Sequence, residues 1–192
     1  LPNPDPILKK LGKDAATYRD LRSTAPVGGA IRRRKAAVRS REWRLVDSVN
    51  GQTGARADQK ASPRAMQLAQ DTLAELDLDA ILGEVLDAPL FGWVPMEVMW
   101  QQVEGTLRPV GLMAKPQEWF HFSPEGELRF KSRAAPFLGE ELQPRKFLVP
   151  RQDASYVNPY GFADLSMVFW PTTFMRGGLK FWVTFSEKYG TP

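Results

Sequence analysis

The side chains of this sequence best equipped for chemistry are a set of carboxylates between positions 71 and 87. Asp71 and Glu75 stand four apart, Glu84 and Asp87 three apart, with Asp77 and Asp79 between them. At helical spacing each pair shares a face, as general acid–base work or a hard cation would require. No fixed motif frames them, so the simpler reading is a solvated acidic face or a contact between copies of the chain. The single histidine, His121, lies in "WFHF". Alternation with aromatics places it on a strand, as a packed or surface residue rather than a base. There is no cysteine, which excludes a disulfide framework, a zinc ribbon and a thiol nucleophile. Ser-His-Asp chemistry would rest on His121 alone. The glycine pairs 28–29 and 177–178 fit no phosphate-loop pattern. No catalytic residue, metal ligand or cofactor site is assigned.

The second constellation is cationic. "GGAIRRRKAAVRSREW" (28–43) sets Arg32, Arg33, Arg34 and Lys35 in a row, with Arg39 one turn on. Clustered Arg and Lys can release counterions from nucleic acid, or can form the wet side of an ordinary helix. Val27, Ala30, Ile31, Ala37 and Val38 thread the run at helical spacing. This favours a folded helix over an exposed import tag. Arg32, Arg33, Lys35 and Arg39 fall outside that stripe, while Arg34 sits at its edge and must snorkel. Residues 1–64 hold fifteen Lys and Arg against six Asp and Glu, whereas 65–104 hold none against eight. A basic block beside an acidic block predicts a polar contact surface, within the chain, between copies or toward a polyanion.

The elements that must position these groups follow from period and punctuation. Pro-rich 1–13 reads as an extended arm. Residues 14–23 read as a short helix with Asp14 as its cap, and Pro26 opens the basic helix to about Val38. "EWRLV" (42–46) alternates as a strand would. The aperiodic, small polar stretch 47–62 reads as a mobile loop. Ser62-Pro63 opens a helix carrying Met66, Ala69, Leu73 and Leu76, and Asp79 is a cap for a further one. From 92 to 132 the period changes to two. Met96, Val98 and Trp100 alternate with Glu97, Met99 and Gln101, and turns fall at 104–106 and 124–127. "FLVPR" (147–151) is one more strand. Asn158-Pro159 reads as the opener of a long helix to about Tyr189, kinked or split by Pro171 and Gly177-Gly178. Helices, then hairpins, then a helix predict an α+β fold with a small antiparallel sheet.

Hydrophobic residues at 43% and charged ones at 25% are ordinary globular usage. Six Trp and eleven Phe in 192 residues make the apolar share aromatic, fitting a core or an interface centre. The opening "LPNPDPILKK" has neither Met nor a signal-like apolar run, so a fragment or processed product is expected. No window holds about 18 uninterrupted apolar residues, and no membrane partner is expected.

Four collinear stretches resemble the Mu-type phage portal family. They are 5–45 with its "GGAIRRRKAAV…EW" unit, 81–100 with "GWVPMEVMW", 116–130, and 158–192 with "NPYG" and "WP…RGGLKFW". The resemblance implies structural roles for Trp43, Gly92, Glu97, Trp100, Asn158, Pro159, Tyr160, Gly161, Pro171, Gly177 and Gly178. It implies a ring of about a dozen copies at one vertex of the phage head. That ring is a channel for double-stranded DNA, contacted without sequence specificity, and is not an enzyme. Its partners would be the large terminase and the capsid, neck and tail proteins. Its place would be the virion, with the host cytoplasm during assembly. Family portals are longer, so this chain would be an N-terminal portion, with 1–157 wing-like and 158–192 the start of a stem. In a ring, Arg32, Arg33, Lys35 and Arg39 could meet an acidic face formed by Asp71, Glu75, Glu84 and Asp87 of a neighbour, or packaged DNA. Two other functions compete: a stand-alone basic nucleic-acid-binding module, and a hydrolase using Asp77, Glu84 and His121.

Overall fold

Asp5 and Pro6 begin the first element. Asp5 Oδ1 accepts from the backbone N–H groups of Ile7 (2.9 Å) and Leu8 (3.1 Å), and Pro6 stands where a missing N–H costs nothing. The computed structural model describes residues 1–11, 15–45, 62–103 and 105–190, and α1 spans Pro6–Leu11. The arm expected over 1–13 is therefore helical over Pro6–Leu11. Ile7 and Leu8 are buried there, and the capping carboxylate organises the turn. Next come α2 (Ala16–Leu21) and α3 (Ala25–Arg39), close to the expected spans. The cap expected at Asp14 and the loop at 47–62, save its last residue, lie outside the described residues. Residues 42–45 form no strand, contrary to expectation. Trp43 and Leu45 are exposed, and alternation without a pairing strand or a buried face does not make a strand.

Asp5 also ties three helices together. Its Oδ1 accepts from Tyr18 Oη at 2.6 Å and lies 3.3 Å from Ser166 Oγ on the last helix. Burial, then the Asp5 hydrogen bond, push the Tyr18 pKa above its ordinary 10.0. A raised folded pKa means that the stabilisation is whole below about pH 10 and is lost as pH rises beyond it. Urea midpoints are accordingly expected to fall more steeply above about pH 10 in the parent than in Tyr18→Phe. Equal slopes would exclude Tyr18 as the titrating group.

The middle of the chain builds helices onto a small sheet. α4 spans Ser62–Glu75, α5 Leu78–Val85 and α6 Ala88–Phe91. The cap of α5 is Asp77, which accepts from Ala80 N at 3.0 Å, rather than Asp79, which lies in the first turn. β1 (Met96–Val103) and β2 (Thr106–Ala114) form the expected hairpin, in register from Met96 opposite Ala114, with a shift between Met99 and Trp100. A short β6 (Phe147–Leu148) pairs with the other edge of β1. A second antiparallel sheet orders β3 (Phe120–Phe122), β4 (Leu128–Phe130) and β5 (Glu140–Glu141). The fold is α+β.

Three buried clusters hold this together. Ile7, Leu8, Tyr18, Leu21 and Ile31 pack with Ala163 and Leu165. Trp93, Phe120, Phe122 and Tyr160 form an aromatic cluster. Ala88, Val94 and Met96 join α5 and α6 to the first sheet. The chain ends in α7 (Asp164–Tyr189), one helix rather than two, with Pro171 inside it. Its start is six residues later than Asn158. Asn158 instead organises a turn, its Oδ1 accepting from Tyr160 N at 3.1 Å and its Nδ2 donating to Gly161 O at 2.7 Å. Gly161 then has φ +69° and Ala163 is extended, so no helix can run through 158–163.

Candidate assembly surface

The basic helix and the acidic block meet within the chain. Lys35 Nζ lies 2.8 Å from Asp87 Oδ1 and donates to Gly83 O at 2.5 Å. Arg39 grips Asp79 with two nitrogens, its Nε 2.7 Å from Oδ1. This two-point hydrogen bonding holds the Asp79 carboxyl below its ordinary range and the Arg39 guanidinium above its own. Arg22 adds a 3.4 Å contact to Asp87. Glu84 accepts from Ala114 N at 2.6 Å and so pins α5 to the end of β2. Asp71 accepts from Gln67 at 2.8 Å, and Glu75 is exposed. The charge blocks therefore dock α3 on α5. Arg32 and Arg33 are exposed and make no ion pair among the described residues, while Arg34 reaches Asp164 at 3.9 Å.

A second feature is a junction of main-chain atoms between the sheets and α7. Gly92 (φ +88°) and Gly161 (φ +69°) face each other across Gln152. Gln152 N donates to Gly92 O and Phe162 N donates to Gln152 O, both at 2.8 Å. The Gln152 side chain donates to Asp164 Oδ1 at 2.7 Å, in the first turn of α7. A Cβ on Gly161 would stand 2.2 Å from Gln152 O and 2.6 Å from Gly92 O, which explains glycine at both places. Pro159 O accepts from Arg151 at 3.4 Å, and Tyr160 Oη accepts from Phe122 N at 3.2 Å. Gln152 did not stand out in the sequence, since a residue acting through backbone contacts leaves no spacing signal. The "NPYG" turn beside it was the available pointer.

Other singled-out residues have structural partners. Glu97 sits between Lys146 (2.9 Å) and Lys115 (3.0 Å), whose hydrogen bonds, Lys146 first, hold its carboxyl below the ordinary range. Trp100 Nε1 donates to Arg145 O at 2.9 Å. His121 is half-buried, its Nε2 3.1 Å from Leu138 O, and burial lowers its pKa. It lines a cavity of about 580 Å³ with Glu118, Lys131 and Tyr160. Asp77 and Glu84 do not line that cavity, so the three residues of the hydrolase reading are not brought together. Among the described residues no group of three His, Cys, Asp or Glu could hold a metal ion.

The third feature is α7 itself. Arg176 clamps it to the α2–α3 turn through Asp20 Oδ2 (2.5 Å), Asp20 O (3.0 Å), Ser23 Oγ (3.1 Å) and Thr24 Oγ1 (2.8 Å). Beyond Arg176 every described residue of α7 is exposed, Gly177 and Gly178 included, and among them Leu179, Phe181, Trp182, Val183, Phe185 and Tyr189 are large and apolar. A helix with this much bare apolar surface is ordinarily covered by something else. No helix of the described residues is long and apolar enough to cross a membrane.

The model of the family described as "Portal protein of Mu bacteriophage" matches residues 15–192. The chain belongs to the Mu-type phage portal family. No curated protein matches it. The portal family is one of structural proteins, and membership implies a subunit of an oligomeric ring at the portal vertex of the virion. The "FGW" and "NPYG" pieces of this portal chain are the two sides of the Gly92–Gly161 junction. The "RGG" piece holds the Arg176 clamp where α7 leaves its packed base.

Proposed function

We propose that this chain is a subunit of the ring through which double-stranded DNA passes during packaging and ejection, docking the large terminase and later the neck and tail proteins. The observation that carries this reading is the bare aromatic half of α7, on a chain whose family match runs from residue 15 to 192. On this reading 1–157 is the wing-like body and 158–192 leads into the stem. It favours self-association over a nucleic-acid module, because Lys35 and Arg39 are engaged within the chain. Arg32 and Arg33 would face a neighbouring copy first and DNA phosphates second, and DNA that must slide takes only salt-sensitive, non-specific contacts.

The test is solution mass by light scattering with negative-stain imaging, on this chain and on a version extended past Pro192. Rings with a central hole are expected, at lower yield for Arg32→Glu/Arg33→Glu. Unchanged ring yield and unchanged packaging in that variant would remove both roles for the two arginines. Monomers that bind duplex DNA with a steep salt slope would instead support the nucleic-acid module.

A further inference from the structure

Arg64 and Arg108 bracket the acidic part of the chain, with no Lys or Arg between them. The fold brings these two cations together. Arg64, Gln67, Leu68 and Asp71 recur at helical spacing along one face of α4. Thr106 and Arg108 stand two apart on β2 and so share a face of that strand. All six line one pocket of about 230 Å³. Four side-chain atoms among the described residues are shielded from solvent without a hydrogen-bond partner: Asp87 Oδ1, Glu118 Oε1, Arg129 Nε and Arg108 Nε. Three belong to ion-paired groups, Asp87 with Lys35, Glu118 with Arg19, and Arg129 with Glu127 and Glu141. Arg108 has no such pair, and neither does Arg64, among the described residues. The carboxylate in the pocket, Asp71, accepts from Gln67 Nε2 instead. A shielded N–H without an acceptor asks for a water or an ion. Two guanidinium groups on one pocket repel each other unless an anion lies between them.

We propose that Arg64, Arg108 and Thr106 form a binding site for one phosphate group. Guanidinium forks match the geometry of phosphate oxygens, and the Thr106 hydroxyl is a third donor. Arg64 stands in the first turn of α4, where the helix dipole adds to the attraction for an anion. Two cations against the one carboxylate of Asp71 leave a single positive charge, which a phosphodiester balances. A phosphate held in this way carries no base contact and so reads no sequence. The inference rests on the reading above for the source of the phosphate, a DNA backbone, and the site itself does not depend on the ring.

The Arg108 Nε–H resonance reports on the site directly. Titrating the chain with inorganic phosphate at constant ionic strength should move it downfield and saturate. Arg64→Gln should bind phosphate about ten-fold more weakly. Asp71→Asn should bind it more tightly, because a like charge is removed, a gain that a merely structural role for these residues would not give. The urea midpoint of each variant checks that the fold is kept. A short DNA duplex should displace the phosphate, and Arg64→Gln/Arg108→Gln should lower the salt slope of duplex binding by about one. No saturable shift with phosphate or duplex, or the same shift with chloride, would overturn the site. So would an Asp71→Asn variant that folds but binds no more tightly. Phosphate binding that duplex leaves untouched would support the site and overturn DNA as its source. Ring yield by imaging decides the portal reading separately, since none of these results depends on assembly.

Discussion

Gly161→Ala is expected to destabilise the chain by about 2–5 kcal/mol. A left-handed backbone costs a non-glycine residue about 1–2 kcal/mol. The added Cβ must also push apart atoms that cannot rotate away, because its two nearest neighbours are the carbonyl oxygens of Gln152 and Gly92. Overpacking of this kind costs about 1–3 kcal/mol. It would strain the 2.8 Å hydrogen bonds by which Gln152 holds Gly92 and Phe162. Gly177→Ala is the matched control. Its Cβ would meet nothing within 4 Å, so in a helix interior it should be neutral or stabilising by up to about 1 kcal/mol. Urea unfolding of the two variants decides the matter. A Gly161→Ala chain within about 1 kcal/mol of the parent would mean that the junction is not tight.

Phe122→Ala should cost about 3–5 kcal/mol. Phe122 is fully buried, at 0% exposure. Its ring meets Tyr160 edge-on at 4.9 Å and Trp93 at 5.1 Å, with the Arg151 guanidinium 4.9 Å away. Truncation therefore opens a cavity and removes aromatic contacts worth more than their area alone. The near-ultraviolet signal of Trp93 should weaken in parallel. Phe137→Ala, at a 91% exposed position, should leave the unfolding midpoint unchanged within error. Equal midpoints for the two variants would overturn the assignment of the aromatic cluster as core.

The β1–β2 hairpin was legible because Met96 and its neighbours alternate over enough residues to fix a period, and Ser62-Pro63 marked its helix correctly. Period failed where a pattern had no partner. "EWRLV" alternates as a strand does, yet 42–45 pair with nothing in a sheet. Capping was misread by two residues before α5, where Asp77 and Asp79 stand close together. "NPYG" carries both a helix-opening proline and a glycine that forbids continuation, and only the tertiary contact with Gly92 decides between them. The charge blocks were visible as composition. That Lys35 and Arg39 would find Asp87 and Asp79 some forty to fifty residues away depends on how α5 docks, which no local pattern encodes. Arg176 looked like one cation among many, and its four contacts come from a turn about 150 residues earlier in the chain.

The Gly92–Gln152–Gly161 junction has a geometric corollary. Main-chain atoms have no rotamers, so the junction sets how the chain enters α7 from the sheets, and the Gln152 and Arg176 side chains hold the helix from there. In a closed ring each copy repeats one inter-subunit rotation, and an error of a degree or two in that rotation is multiplied by the number of copies before the last meets the first. A hinge built from flexible side chains would spread that angle from copy to copy. Peptide groups hydrogen-bonded to one another hold the same entry into α7 in every copy.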